Sequence, residues 1–127
     1  MNAKEEFLRH TKKQLVKCAQ LRRGDHIDCD EEGNYIPSPT IDLKMGYTSE
    51  DLQNFLKAID FDYNNGYGGQ NLFGCIWYRD YTWSERGEYD GSEWWNYHSC
   101  PQIPEELNTH QLNEIDVKFN EIINPQN

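Results

Sequence analysis

Rings stand beside rings in the second half of this chain: Trp77-Tyr78 and Trp94-Trp95 are adjacent pairs in segments rich in β-forming residues. Successive side chains on a strand point to opposite faces, so each pair sends one ring to either side of a sheet. One ring of each pair therefore falls on the less buried face, unless helices cover both sides. Three segments, 71–79, 82–89 and 93–99, have the length and composition of short strands, and tight turns join them, the second ending at Asp90-Gly91. Twelve of the seventeen aromatic residues lie between Phe61 and Tyr97. The large apolar groups are thus concentrated in an antiparallel meander.

Helical spacing frames that meander. Asn2-x-x-Glu5 has the form of a capping box, and Ala3, Phe7 and Leu8 share one helical face, which predicts a helix over 3–13. Residues 14–22 read as a half-buried strand, and Asp30 to Asn34 as a turn between short strands, followed by Pro37 and Pro39 at an edge or in a loop. Ile41, Leu43 and Met45 alternate with polar residues, predicting a strand over 40–46 with one buried face. Thr48 caps a helix carrying Leu52, Phe55, Leu56 and Ile59, with Asp51 as the reciprocal residue. Residues 64–69 form a glycine-rich loop. Thr109, Leu112, Ile115, Phe119, Ile122 and Ile123 mark a C-terminal helix stopped by Asn124-Pro125. The expected fold is α+β: an antiparallel sheet of about four to six short strands with N-terminal, central and C-terminal helices. The length of 127 residues suits one domain over 1–127.

Charge narrows the function classes. The net charge is -10, but it is unevenly placed: seven basic against two acidic residues over 1–23 give +5, and five against 20 over 24–127 give -15. Direct nucleic-acid binding needs basic surface to replace counterions, so it is not expected of the acidic body. No run approaches the ~20 apolar residues of a membrane span, and the first 30 residues lack the apolar core of a secretory signal. Cys18, Cys29, Cys75 and Cys100 are widely spaced without a CxxC pair, as in a chain whose thiols stay reduced in a cytoplasm.

Motifs with chemical potential are sparse. Asp28, Asp30, Glu32 and Gly33 imitate the start of a calcium loop, but Pro39 stands where a bidentate Glu is needed. His26-x-x-Cys29 and His98-x-Cys100 could supply zinc ligands only if the fold joined them, so no metal and no cofactor are expected. Gly66-Tyr67-Gly68-Gly69 lacks the Lys-Ser/Thr of a phosphate loop. No nucleophile elbow or Cys-His signature marks a catalytic residue. Carboxylates interleaved with rings remain: Asp80, Trp83, Glu85, Glu88, Tyr89, Asp90, Glu93, Trp94 and Trp95. Exposed Trp and Tyr are common interface anchors, and clustered carboxylates complement basic grooves. These nine residues are the expected partner-binding surface. The same set suggests two other readings. One is a small carbohydrate-binding or hydrolytic module using Asp90, Glu93, Trp94 and Trp95; the other is a structural or regulatory homo-oligomer joined through its rings.

The run Phe61-Asp-Tyr-Asn-Asn-Gly-Tyr-Gly-Gly-Gln70, the segments Leu72–Trp77 and Arg86–Trp95, and Pro101-Gln-Ile-Pro-Glu-Glu-Leu107 resemble a family of small acidic phage and prophage proteins. The likeness covers roughly the second half of the chain, with Glu88-Tyr-Asp-Gly-Ser-Glu-Trp-Trp95 as its most distinctive piece and Asn65 and Cys75 as departures. It carries over no catalytic residue. It implies an accessory protein of a bacterial virus, acting in the host cytoplasm. By analogy with small acidic phage proteins of the anti-CRISPR and anti-restriction kind, the partner would be a host nuclease or another basic nucleic-acid-binding complex.

Overall fold

Strict alternation in the long segments builds one sheet with a buried and an open face. The computed structural model describes residues 1–24, 28–36, 38–66, 68–102, 104–107 and 121–123, with Asp28 described by its backbone alone. In chain order the elements are helix α1 (Ala3–Thr11), strands β1 (Val16–Arg23), β2 (Asp28–Cys29), β3 (Tyr35–Ile36) and β4 (Ile41–Leu43), and helix α2 (Ser49–Ala58). Strands β5 (Leu72–Tyr78), β6 (Trp83–Tyr89) and β7 (Ser92–His98) follow, then a single 3-10 turn at Glu105–Leu107. The sheet order is β4-β1-β5-β6-β7, every neighbour antiparallel, and β2 and β3 pair separately. The architecture is α+β, as the periodicities predict.

Both helices contribute to one core on the inner face of the sheet. Ala3 and Phe7 of α1 and Phe55 of α2, with Ile59 at its C-cap, meet Ala19, Leu21, Leu43, Leu72, Ile76, Tyr78 and Trp95 from the strands. Phe7 stands at the centre, its ring edge-on to Phe55 at 5.4 Å and to Trp95 at 6.4 Å. Burying each such side chain contributes roughly 1.5–3 kcal/mol. The adjacent rings divide as alternation requires: Tyr78 and Trp95 are buried, while Trp77 and Trp94 lie on the outer face.

Local signals fix the element ends. The Asn2 side chain accepts from the Glu5 amide at 2.9 Å and starts α1. That helix stops at Thr11, two residues before the predicted end, and Leu8 is exposed, with Thr11 taking its place on the buried side. In α2 the capping box is complete: Asp51 N–H donates to Thr48 Oγ1, and Thr48 N–H donates to Asp51. Strand β4 is shorter than predicted, and Met45 is exposed beyond it. Asp90 and Gly91 both have positive φ, the geometry of a two-residue hairpin turn. The predicted C-terminal helix lies outside the described residues except at Glu121, Ile122 and Ile123, which are helical.

One close approach holds the sheet centre together. Gly74 of β5 faces Leu21 of β1, and a Cβ there would sit 2.5 Å from the Gln20 carbonyl oxygen and 3.0 Å from Leu21 Cα. Backbone cannot yield as a side-chain end can. Gly74→Ala is therefore expected to cost on the order of 1–3 kcal/mol by overpacking, read as a lower urea midpoint. An unchanged midpoint would mean that β1 and β5 tolerate separation at this rung.

Candidate functional site

Strand register lays out the outer face as rows of side chains. Cys18, Trp77, Trp83 and His98 form one row across β1, β5, β6 and β7. Asp42, Gln20, Cys75, Glu85 and Asn96 form the next, with Gln20 Nε2 donating to Asp42 at 3.1 Å. Beyond them, Arg22 faces Phe73, its guanidinium 4.7 Å from the ring centre, and Gly87 faces Trp94. His98 stacks on Trp83 at 5.5 Å, its Nε2 standing 3.1 Å from a Glu85 oxygen. The Trp94 indole lies over Gly87 and donates to Asn96 Oδ1 at 2.6 Å, which holds the ring in place while leaving 37% of the residue exposed.

The nine predicted partner-binding residues separate into three groups. Glu85, Tyr89 and Trp94 lie on the outer face, with Glu88 and Asp90 beside them at the β6–β7 turn, where Glu88 accepts from the Gly91 amide at 3.0 Å. Asp80 and Trp83 sit at the other end of the sheet, by the β5–β6 turn. There the Thr82 hydroxyl and amide both donate to Asp80 and hold its carboxyl below its usual range. Glu93 and Trp95 do not belong to a surface at all. Both are buried on the inner face, because their positions in β7 alternate with the exposed Trp94.

Glu93 is instead the anchor of a buried polar network. Its carboxylate accepts from the Asn71 and Leu72 amides at 2.7 and 2.9 Å and from Arg86 Nη2 at 2.8 Å. Arg86 also stands 3.1 Å from Glu6 through Nη1, donates to Tyr63 Oη at 3.1 Å and lies over the Trp95 ring at 5.0 Å. Burial works against the Arg86 charge, but Glu93 and Glu6 outweigh it, and its pKa is raised. Burial first, and then the hydrogen bond to Glu6, keep the Tyr63 phenol protonated. Asn65 completes the arrangement by pairing its amide with both the N–H and the C=O of Glu93, each at 2.8 Å. With every carboxylate contact directed inward, Glu93 is held by the fold and is not presented at the surface. The sequence held one clue: Arg86 is the only basic residue between Asp80 and Val117.

No family model matches the chain, no curated protein matches its sequence and no solved structure matches its fold.

The remaining motifs resolve locally. Asp30 closes the β2–β3 hairpin by accepting from the Glu32 and Asn34 amides, so the calcium-like run is a turn. His26 lies outside the described residues, Cys29 and Cys100 are exposed, and all four cysteines are unpaired. Among the described residues no group of three or more His, Cys, Asp or Glu side chains comes together as a metal site, and no helix is long and apolar enough to cross a membrane. His10 was not singled out by any motif, yet its Nε2 lies 2.7 Å from the buried Ser84 hydroxyl, which meets Tyr78 Oη at 2.7 Å.

Two predictions follow from these buried groups. Glu93→Gln leaves Arg86 with a neutral partner and should cost roughly 3–5 kcal/mol in chemical denaturation, the usual loss when one half of a buried pair is removed. A loss below ~1 kcal/mol would show that Glu6 alone can hold the guanidinium. His10 has its pKa lowered from the ordinary value of 6.5, chiefly by burial and also by Arg86, with Glu6 opposing. The unfolded chain therefore takes up a proton that the folded chain resists. The contribution is fully present above that ordinary value and is lost as pH falls below it. His10→Gln should flatten that part of the stability profile; an unchanged slope would assign it to other groups.

Proposed function

We propose that this is a non-enzymatic protein of a bacterial virus that binds and inhibits a host defence or nucleic-acid-handling complex in the host cytoplasm. The binding surface is the acidic, aromatic end of the outer sheet face, Glu85, Tyr89 and Trp94, with Glu88 and Asp90 at the adjoining β6–β7 turn. One observation carries this reading. Trp94 is a large exposed ring already held in position by Asn96 and Gly87, with Glu85 on the neighbouring outer-face rung. A preorganised aromatic residue loses little side-chain entropy on binding, which is what an interface anchor requires. Tyr89, 77% exposed on the next rung, extends the surface. The carboxylates favour a basic partner, such as a nuclease or another nucleic-acid-binding protein, whose approach they would steer. The net charge of -15 over residues 24–127 adds a long-range contribution of the same sign.

Capture from host lysate provides the test, with the intact chain as bait. A basic nucleic-acid-handling protein should be retained by the natural chain, and Trp94→Ala should weaken its retention at least tenfold. Glu88→Lys with Asp90→Lys should slow association and reduce its dependence on salt. Loss of the same partner in neither variant would overturn the assignment of this surface, and retention of no basic protein would overturn the proposed class of partner.

A further inference from the structure

The opposite end of the same face has a different chemistry, and we infer that it is a stacking site for a single-stranded nucleic-acid segment. This goes beyond the reading above and uses other residues. A cleft of about 350 Å³ is lined by Lys17, Cys75, Trp77, Tyr78, Tyr81, Thr82 and Trp83. Trp77 and Trp83 are directly opposed across β5 and β6, and Trp77 is 42% exposed. Lys17 reaches this cleft through an irregularity in β1: the register slips between Val16 and Cys18, adding a residue where the strand would otherwise alternate.

Tyr81 supplies an independent observation. The β5–β6 turn closes with Tyr81 N–H donating to Tyr78 O, and Tyr81 has φ 67, in the left-handed region that favours glycine or asparagine. Its ring is 86% exposed, and among the described residues it makes no hydrogen bond or ring contact that would offset the strain. Strain of this kind persists at recognition sites. A large ring here serves something outside the fold.

Charge selects the guest. The Lys17 ammonium disfavours a cation, and Lys17 has no ion-pair partner among the described residues. The nearby carboxylates, Asp80 held by Thr82 and Glu85 beside His98, keep their charge and restrict the guest to a short segment seated on Lys17. Lys12 and Lys13 lie in the α1–β1 turn, which abuts the β5–β6 turn where Arg79 N–H donates to Leu15 O at 2.9 Å. Lys17 of the first half of the chain thus meets three rings of the second. Flat rings with an unpaired ammonium suit a stacked base and its phosphate, the combination by which exposed sheet aromatics bind single strands. The net charge of -10 opposes any longer polyanion, so only a few nucleotides are held at this one end.

The test is a titration of the purified full chain with a short fluorescent oligothymidylate at low salt, with thymidine monophosphate and a duplex as further arms. The oligothymidylate should quench tryptophan emission and bind more tightly than the duplex. Its log affinity should fall against log salt with a slope of about -1, as for one or two phosphates. Lys17→Glu and Trp83→Ala should each weaken binding at least fivefold. Tyr81→Gly should weaken it similarly while leaving the thermal midpoint unchanged or higher, a combination that loss of folding cannot produce. Absence of binding would overturn the inference. So would binding indifferent to Lys17→Glu and Tyr81→Gly, a preference for an uncharged oligosaccharide, or a preference for an acidic aromatic peptide. No host protein is present in this titration, so its failure is separate from failure of the capture experiment.

Discussion

The buried guanidinium of Arg86 is the interaction on which the rest of the structure depends. A charge so enclosed is tolerated only when its partners are fixed, and here they come from α1, the loop before β5, and β7. Glu93 extends the constraint to the backbone, because its carboxylate also receives the first amides of β5. One ion-pair system thereby sets how the N-terminal helix, the glycine-rich loop and the aromatic meander fit together. Asn65 covers the free edge of β7 at the same residue, a side-chain substitute for a neighbouring strand. The inner face is thus committed to stability.

That commitment leaves the outer face open. No described helix packs on it, and its rings are positioned from beneath by a sheet whose other side is densely packed. The acidic β6–β7 end and the aromatic β5–β6 end, where Lys17 meets three rings, offer different surfaces on one support. A protein carrying both could engage a nucleic-acid-handling complex through its basic protein surface and its exposed strand. The two proposals are compatible on that basis, although neither requires the other.

Much of the fold was legible because its signals are local. Helical spacing of Leu52, Phe55, Leu56 and Ile59, the Thr48 and Asn2 caps, and the Asp90-Gly91 turn each depend on a few neighbouring residues. The site was legible only in part. Trp94, Tyr89 and Glu85 were identified as surface residues and lie on the outer face, but Glu93 and Trp95 were grouped with them by proximity in sequence. Phase along a strand decides exposure, and the phase of β7 depends on which neighbour carries the core. Trp95 faces Phe7, 88 positions earlier in the chain, so no local rule could orient it.

By itself, the sequence determined that adjacent rings must lie on opposite faces, that two capped helices frame the sheet, and that acidity belongs to the body of the chain. These follow from periodicity, side-chain chemistry and counting. Only the tertiary structure decided which ring of each pair is buried, that Glu93 serves Arg86, and that Lys17 meets Trp77, Tyr81 and Trp83. Those outcomes depend on contacts between distant segments, whose energies exist only once the strands are in register.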